Sequence, residues 1–215
     1  MIIMNKLAII DYGLGNLFGL KQACSAVGLE TVITNEKKEI SNAKGIILPG
    51  VGAFGTAMNN LKNIGIIDEI NKSVKSGKIL LGLCLGMQLL MNRSFEFGEH
   101  TGLNYIEGDI EYLVKKDIKN NVVKIPHIGW NAIKISESFS KDIIFRELPN
   151  SFDVYFVHSY CLFSSKKQYI LSETTYENIK FCSAVKKDNV IGLQFHPENS
   201  GPNGLKLLSN IFNKQ

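Results

Sequence analysis

Four short apolar runs, interleaved with segments of helical spacing, set the strongest limit on how this chain can fold. They are Leu7-Ala-Ile-Ile10, Thr31-Val-Ile-Thr34, Gly45-Ile-Ile-Leu48 and Ile79-Leu-Leu-Gly-Leu83. Apolar runs this short read as strands buried on both faces. Leu17 to Val27 has helical spacing, with Leu17, Leu20, Cys24 and Val27 on one face and Gly28 placed to close it. Ala53 to Leu61 and Ile66 to Lys75 are further predicted helices. Strands alternating with helices predict an α/β chain whose parallel sheet is covered on both faces.

The second half reads differently. Strand-like runs occupy Leu103 to Lys134, with a Lys-Asn-Asn turn around Lys119. Asp153 to Val157 and Tyr169 to Thr174 are predicted strands. Phe181 to Lys186 and Val190 to Phe195 flank Lys187-Asp188-Asn189, a hairpin signal. Gly204 to Phe212 is a short amphipathic helix with Leu205, Leu208 and Phe212 inward. An antiparallel or mixed extension of the parallel half is expected. A length of 215 residues fits one domain spanning 1–215.

The last run of the first half leads into Cys84, then Leu85-Gly86-Met87-Gln88, with Gly82 and Gly86 two positions either side of the cysteine. Such spacing is that of a nucleophile elbow with sulfur in place of serine oxygen. A sharp strand-to-helix turn strains the nucleophile's backbone and leaves no room for side chains nearby. The N–H groups opening the next helix favour negative charge on the sulfur. The competing reading is a buried core cysteine. It leaves the two glycines unexplained, since glycine weakens a core strand.

A cysteine nucleophile needs a base and a group to orient it. Of His100, His127, His158 and His196, only His196 follows a strand with a carboxylate two residues on, in Gln194-Phe-His-Pro-Glu198. Glu198 is placed to fix the imidazole tautomer. His127 and His158 read as structural, and His100 as surface. Acyl transfer also needs N–H donors for an oxyanion. Leu48-Pro-Gly-Val-Gly-Ala-Phe54 offers glycines after a strand. The N–H of Leu85 would be one donor and that of Val51 or Gly52 the other.

Composition excludes several classes. The net charge of +4 is carried by scattered lysine pairs without interleaved aromatics, unlike a nucleic-acid footprint. Cys24, Cys84, Cys161 and Cys182 form no CxxC pair, so neither a zinc site nor a dithiol motif is predicted. No metal and no cofactor is expected. A thiol nucleophile points to a reducing compartment, hence a cytoplasmic location. The apolar N-terminal stretch meets Asp11 too early for a signal peptide, and no run approaches the ~20 residues of a membrane span.

Taken together, Gly82-Leu-Cys84-Leu-Gly86-Met-Gln88, Pro49-Gly-Val-Gly52 and His196-Pro-Glu198 resemble the class I (triad) glutamine amidotransferases, in that family's order of Cys, His and Glu. Within it, Ile9-Ile-Asp-Tyr-Gly-Leu-Gly-Asn-Leu17, Pro126-His-Ile-Gly-Trp-Asn131 and Tyr155-Phe-Val-His-Ser-Tyr160 resemble the glutaminase subunit of imidazole glycerol phosphate synthase, of histidine biosynthesis. The resemblance implies a flavodoxin-like fold. It also implies that Cys84 attacks the carboxamide of glutamine, that His196 moves protons and that Glu198 orients it. Gly50, Gln88, Glu96, His158, Ser159 and Tyr160 would line the glutamine pocket. Ammonia would pass to a separate (β/α)8 cyclase/synthase subunit as a heterodimer. Asp11, Asn16, Pro126, His127, Trp130, Asn131 and Tyr155 would face that partner. One departure is Asn199, where the family usually has lysine. The stretch from Ser94 to Leu103 also resembles paralogues that supply ammonia for amidation of surface sugars. A stand-alone γ-glutamyl hydrolase is the remaining alternative.

Overall fold

The computed structural model describes residues 6–113 and 122–213. The predicted turn around Lys119 lies outside them. In chain order the elements are β1 (Leu7–Ile10), α1 (Leu17–Ala26), β2 (Thr31–Thr34), α2 (Lys37–Asn42), β3 (Gly45–Leu48), α3 (Phe54–Ile64), α4 (Ile67–Lys75), β4 (Ile79–Leu83) and α5 (Leu85–Leu89). There follow β5 (Arg93–Ser94), β6 (His100–Thr101), β7 (Asp109–Tyr112), β8 (His127–Ile135), β9 (Ser151–His158), β10 (Tyr160–Leu162), β11 (Ile170–Tyr176), β12 (Ile179–Lys187), β13 (Val190–Leu193) and α6 (Gly201–Phe212). The short helix α2 carries no periodicity long enough to read from sequence.

Among the described residues all the strands belong to one sheet, ordered β2-β1-β3-β4-β13-β12-β10-β7-β5-β6, with β11, β8 and β9 branching from β12. The first five run parallel. The remainder is mainly antiparallel, as the change of pattern predicts. The hairpin between β12 and β13 forms as expected, pairing Lys187 with Val190. Its second strand does not stay in the extension. It inserts beside β4, with Leu193 opposite Leu83.

Alternate residues of each central strand feed two cores. Leu7 and Ile9 of β1, with Ile47 and Leu81, pack against Leu20 and Cys24 of α1 and Leu207, Leu208 and Ile211 of α6. Ala8, Ile10, Ile46 and Leu80 face Phe54, Met58 and Leu61 of α3, Ile70 of α4 and Met87 of α5. Burial on both faces is why these strands have no polar positions. In α6 the fully buried residues are Leu207, Leu208 and Ile211. Leu205 and Phe212, expected inward, are only partly covered. Gly28 sits just past α1 at φ +75° while Leu29 N–H returns to the Cys24 carbonyl at 2.9 Å, a helix stop of the predicted kind.

Candidate active site

Cys84 stands at the carboxyl end of β4 and caps α5 with φ 51° and ψ −108°, backbone angles that non-glycine residues avoid. Such a conformation costs on the order of 1–3 kcal/mol and is held only by its surroundings. Those surroundings are visible. The Cys84 N–H bonds the Leu193 carbonyl at 2.7 Å, which pins the turn to β13. A Cβ on Gly82 would lie 2.6 Å from the Gly86 carbonyl oxygen, and one on Gly86 would strike the Leu48 carbonyl. Both elbow glycines are therefore required by backbone packed on backbone.

Because β13 runs parallel to β4 in register, the chain leaving Leu193 arrives beside Cys84. His196 is held there by its N–H to the Tyr155 carbonyl at 2.9 Å, and the Ser200 hydroxyl donates to the His196 carbonyl at 2.5 Å. Its Nδ1 meets Glu198 Oε1 at 2.8 Å, with both side chains nearly enclosed. His196 Nε2 is buried with no protein partner in hydrogen-bond geometry. Burial opposes charge on this imidazole, but Cys84 and Glu198 outweigh it and hold the ring above the ordinary histidine range. Nδ1 engaged by a carboxylate leaves Nε2 as the atom that exchanges protons.

A cavity of about 300 Å³ opens over the sulfur, lined by Val51, Gly52, Cys84, Leu85, Gln88, Glu96, Pro126, Val157, His158, Ser159 and Tyr160. The expected oxyanion backbone, Val51, Gly52 and Leu85, borders it. Glu96 accepts the Phe54 N–H at 2.6 Å, and burial raises its carboxyl above the usual range. Both Gln88 N–H groups are engaged, with the Tyr160 carbonyl at 2.9 Å and Gln194 Oε1 at 3.2 Å. A second cavity of about 160 Å³ is lined by His196 and Glu198 together with Asn16, Pro49 and Gly50, and shares Val51 and Val157 with the first. A larger open depression of about 610 Å³ on the extension, around Lys134, Ser151, Lys167 and Glu173, contains neither thiol nor imidazole.

Three expected placements differ. Gly50 does not line the 300 Å³ cavity. It is packed beneath Tyr12 and Leu85, where a Cβ would collide with the Tyr12 hydroxyl. His127, expected to face a partner, is 2% exposed and stacked between Phe156 and Tyr176 at 4.7 and 3.9 Å. His100 is also less exposed than expected, lying over Gly55 beside Phe54. Asp11 and Asn16 spend a side-chain oxygen on local turns, accepting from the Gly13 and Gly19 N–H groups. Trp130 and Pro126 are exposed, and Asn131 and Tyr155 half-buried. Gln194 and the Val157 carbonyl, both 3.7 Å from the sulfur, were not foreseen. Gln194 had a signal, a polar residue closing an apolar strand directly before Phe195-His196.

Two of the buried histidines, His127 and His158, form a neutral chain. The Tyr160 carbonyl can only accept, so His158 Nδ1, 2.9 Å away, carries the proton. His158 Nε2 then accepts from His127 Nδ1 at 3.1 Å, and His127 Nε2 faces the Asn131 amide at 3.5 Å. Burial depresses His127 to about 4. Burial first, then the neighbouring imidazole, depresses His158 to about 3. An unfolded histidine titrates near 6.5, so below that pH the unfolded chain binds protons the folded chain refuses. The stability contributed by these two imidazoles is fully present above about pH 6.5 and falls on acidification toward about pH 4, by on the order of 3 kcal/mol for each. Urea midpoints across that window should fall steeply in the wild type and more gently in His127→Phe; parallel curves would mean the pair does not govern acid sensitivity.

The glutamine amidotransferase class-I family model matches residues 8–215. The chain belongs to the class-I glutamine amidotransferases. Among its curated relatives, the imidazole glycerol phosphate synthase subunit HisH 2 of Methanococcus maripaludis is 47% identical over 206 residues, covering 95% of this chain and 98% of its own. Subunit HisH of Aquifex aeolicus is 41% identical over 210 residues, covering 97% of each. The solved structure of PurLQS from Thermotoga maritima shares the fold at a TM-score of 0.71 and 18% identity, covering 98% of each chain. As a glutamine amidotransferase with this flavodoxin-like fold, the chain places its elbow cysteine where open α/β sheets bind ligands, at the carboxyl ends of parallel strands. Among the described residues no helix is long and apolar enough to cross a membrane.

Proposed function

We propose that this amidotransferase is a single-domain glutaminase subunit, that Cys84, His196 and Glu198 are its catalytic residues, and that it supplies ammonia to a separate (β/α)8 synthase subunit of histidine biosynthesis. The observation that carries the chemistry is a strained elbow cysteine electrostatically coupled to a carboxylate-held imidazole whose buried Nε2 has no other partner. The relatives' names, at 41–47% identity over nearly the whole chain, favour imidazole glycerol phosphate synthase over a surface-sugar pathway or a stand-alone hydrolase.

In this reading glutamine enters the 300 Å³ cavity with its carboxamide over Cys84. Both Gln88 N–H groups are spent internally, so its Oε1, with Glu96, is left to accept from the substrate's ammonium group. The sulfur attacks the carboxamide carbon, and backbone N–H groups among Val51, Gly52 and Leu85 receive the oxyanion. His196 Nε2 protonates the departing nitrogen as the C–N bond breaks, leaving a γ-glutamyl thioester. It then takes a proton from water, which adds to the thioester carbon and releases glutamate and the thiol. Ammonia leaves through the smaller cavity, which reaches Asn16 past Val51 and Val157. Exposed Phe18, Ile128 and Trp130, at 67, 58 and 58%, give a partner apolar anchors. The expected products of the complex are imidazole glycerol phosphate and an aminoimidazole carboxamide ribotide.

The discriminating measurement is glutaminase turnover of the isolated chain against the chain mixed with a histidine-pathway barrel subunit. Stimulation by about 100-fold or more is expected, within the range that completing an oxyanion hole gives. Full activity without a partner would sink the channelling reading and leave the hydrolase alternative.

A further inference from the structure

Gln194 has no part in the mechanism above, yet it is fully buried and touches the reacting sulfur. It follows β13, with its backbone N–H bonded to the Ser183 carbonyl at 2.9 Å. Its Nε2 lies 3.7 Å from Cys84 Sγ, and its Oε1 accepts from Gln88 Nε2 at 3.2 Å. The same Gln88 nitrogen donates to the Tyr160 carbonyl at 2.9 Å, which also accepts from His158 Nδ1. With both Gln88 protons pointed at acceptors, Gln194 must turn its carbonyl toward Gln88 and its NH2 group toward the sulfur. The amide is thus oriented from behind, by a chain of fixed donors that does not include the cysteine.

The other polar neighbour of the sulfur has the opposite preference. The Val157 carbonyl oxygen, 3.7 Å away, can accept from this sulfur only when the sulfur carries its proton. A carboxamide N–H gains most from a negatively charged sulfur, because hydrogen bonds to ions are about twice as strong as neutral ones. We propose that Gln194 holds Cys84 in its anionic, reactive state against the pull of the Val157 carbonyl, leaving His196 Nε2 free to serve the leaving nitrogen. This rests on Cys84 being the nucleophile. It explains why a fully enclosed position beside the apolar strand β13 keeps a polar side chain, which is costly there unless its hydrogen bonds are made.

The test is alkylation of the full-length chain by iodoacetamide, followed at Cys84 by peptide mass spectrometry from about pH 5 to pH 10. Cys24, Cys161 and Cys182 are each 0% exposed, so the folded chain reports Cys84 selectively. In Gln194→Met, close in size but without donors, the rate profile should move alkaline by about one pH unit, a tenfold slower reaction at neutral pH. Gln194→Asn, whose amide is drawn back by one methylene, should move it the same way by less. Profiles superimposing on wild type for both variants would overturn the proposal and leave Gln194 a packing residue. If the methionine variant does not fold, the asparagine variant decides by the same criterion. Wild type that takes no label at Cys84 overturns the nucleophile reading itself, and this proposal with it.

Discussion

Cys84→Ala should lower glutamine-dependent turnover by about four orders of magnitude or more, the scale on which removal of a nucleophile acts. No other thiol can substitute, because Cys24, Cys161 and Cys182 are each 0% exposed and lie in the cores. Water cannot use the site in place of the sulfur without a nucleophile at the end of β4 to form the thioester. Folding should survive, since alanine has no atom beyond Cβ to clash and the backbone at φ 51° is held by the bond from Cys84 N–H to Leu193. Assayed with a synthase partner, the variant should still support synthesis from added ammonia at undiminished rate, because acceptor chemistry lies elsewhere. Survival of glutamine-dependent synthesis would show that Cys84 is not the nucleophile.

Gly86→Ala should be the most damaging conservative change to the fold. Its Cβ would collide with the Leu48 carbonyl oxygen, sit 2.8 Å from the carbon of that group and 3.3 Å from the Pro49 carbonyl oxygen. Neither side can retreat. Leu48 ends β3 and is registered opposite Gly82 of β4, and Gly86 lies in the first turn of α5, whose start is fixed by Cys84. Overpacking backbone on backbone at a site unable to relax belongs at the severe end of single substitutions, about 4 kcal/mol. For a chain of this length that lowers Tm by about 10 °C. Gly28→Ala supplies the contrast. Nothing lies within 4 Å of its Cβ, so only the φ of +75° opposes it, at about 1 kcal/mol. Gly86 has no positive φ to oppose a side chain, so a shift no larger than that of Gly28→Ala would mean that β3 and α5 yield to the added Cβ and that the contact with Leu48 does not make Gly86 necessary.

Both predictions return to one stretch, Gly82 to Gln88, and it shows where local reading succeeds. The spacing of two glycines around a cysteine is a local signal, and the structure gives each glycine a backbone collision that it avoids. The strand after Asn189 shows where local reading fails. As sequence, Val190 to Leu193 is the second arm of a hairpin, and it does pair with β12. That it also pairs with β4, across a separation of more than 100 residues, has no local signature. Helix α2 was missed because six residues carry less than two turns of periodicity. His127 was misplaced because the resemblance of Pro126 to Asn131 assigned the whole run to a partner-facing surface, whereas alternation along β8 turns Ile128 and Trp130 outward and His127 inward between Phe156 and Tyr176, in line with the reading of His127 as structural.

What the amino-acid sequence determined by itself is therefore what depends on neighbours in the chain: buried strands with no polar face, an elbow that demands glycine, and a histidine two residues from its carboxylate. What only the tertiary structure decided is which groups meet across the chain. The parallel register of β13 on β4 brings His196 to Cys84, and the same register delivers Gln194 to the sulfur and to Gln88. The physical reason is that sheet pairing is made by backbone groups common to every residue, so side-chain sequence restricts which strands can be buried without naming the strand each will lie beside.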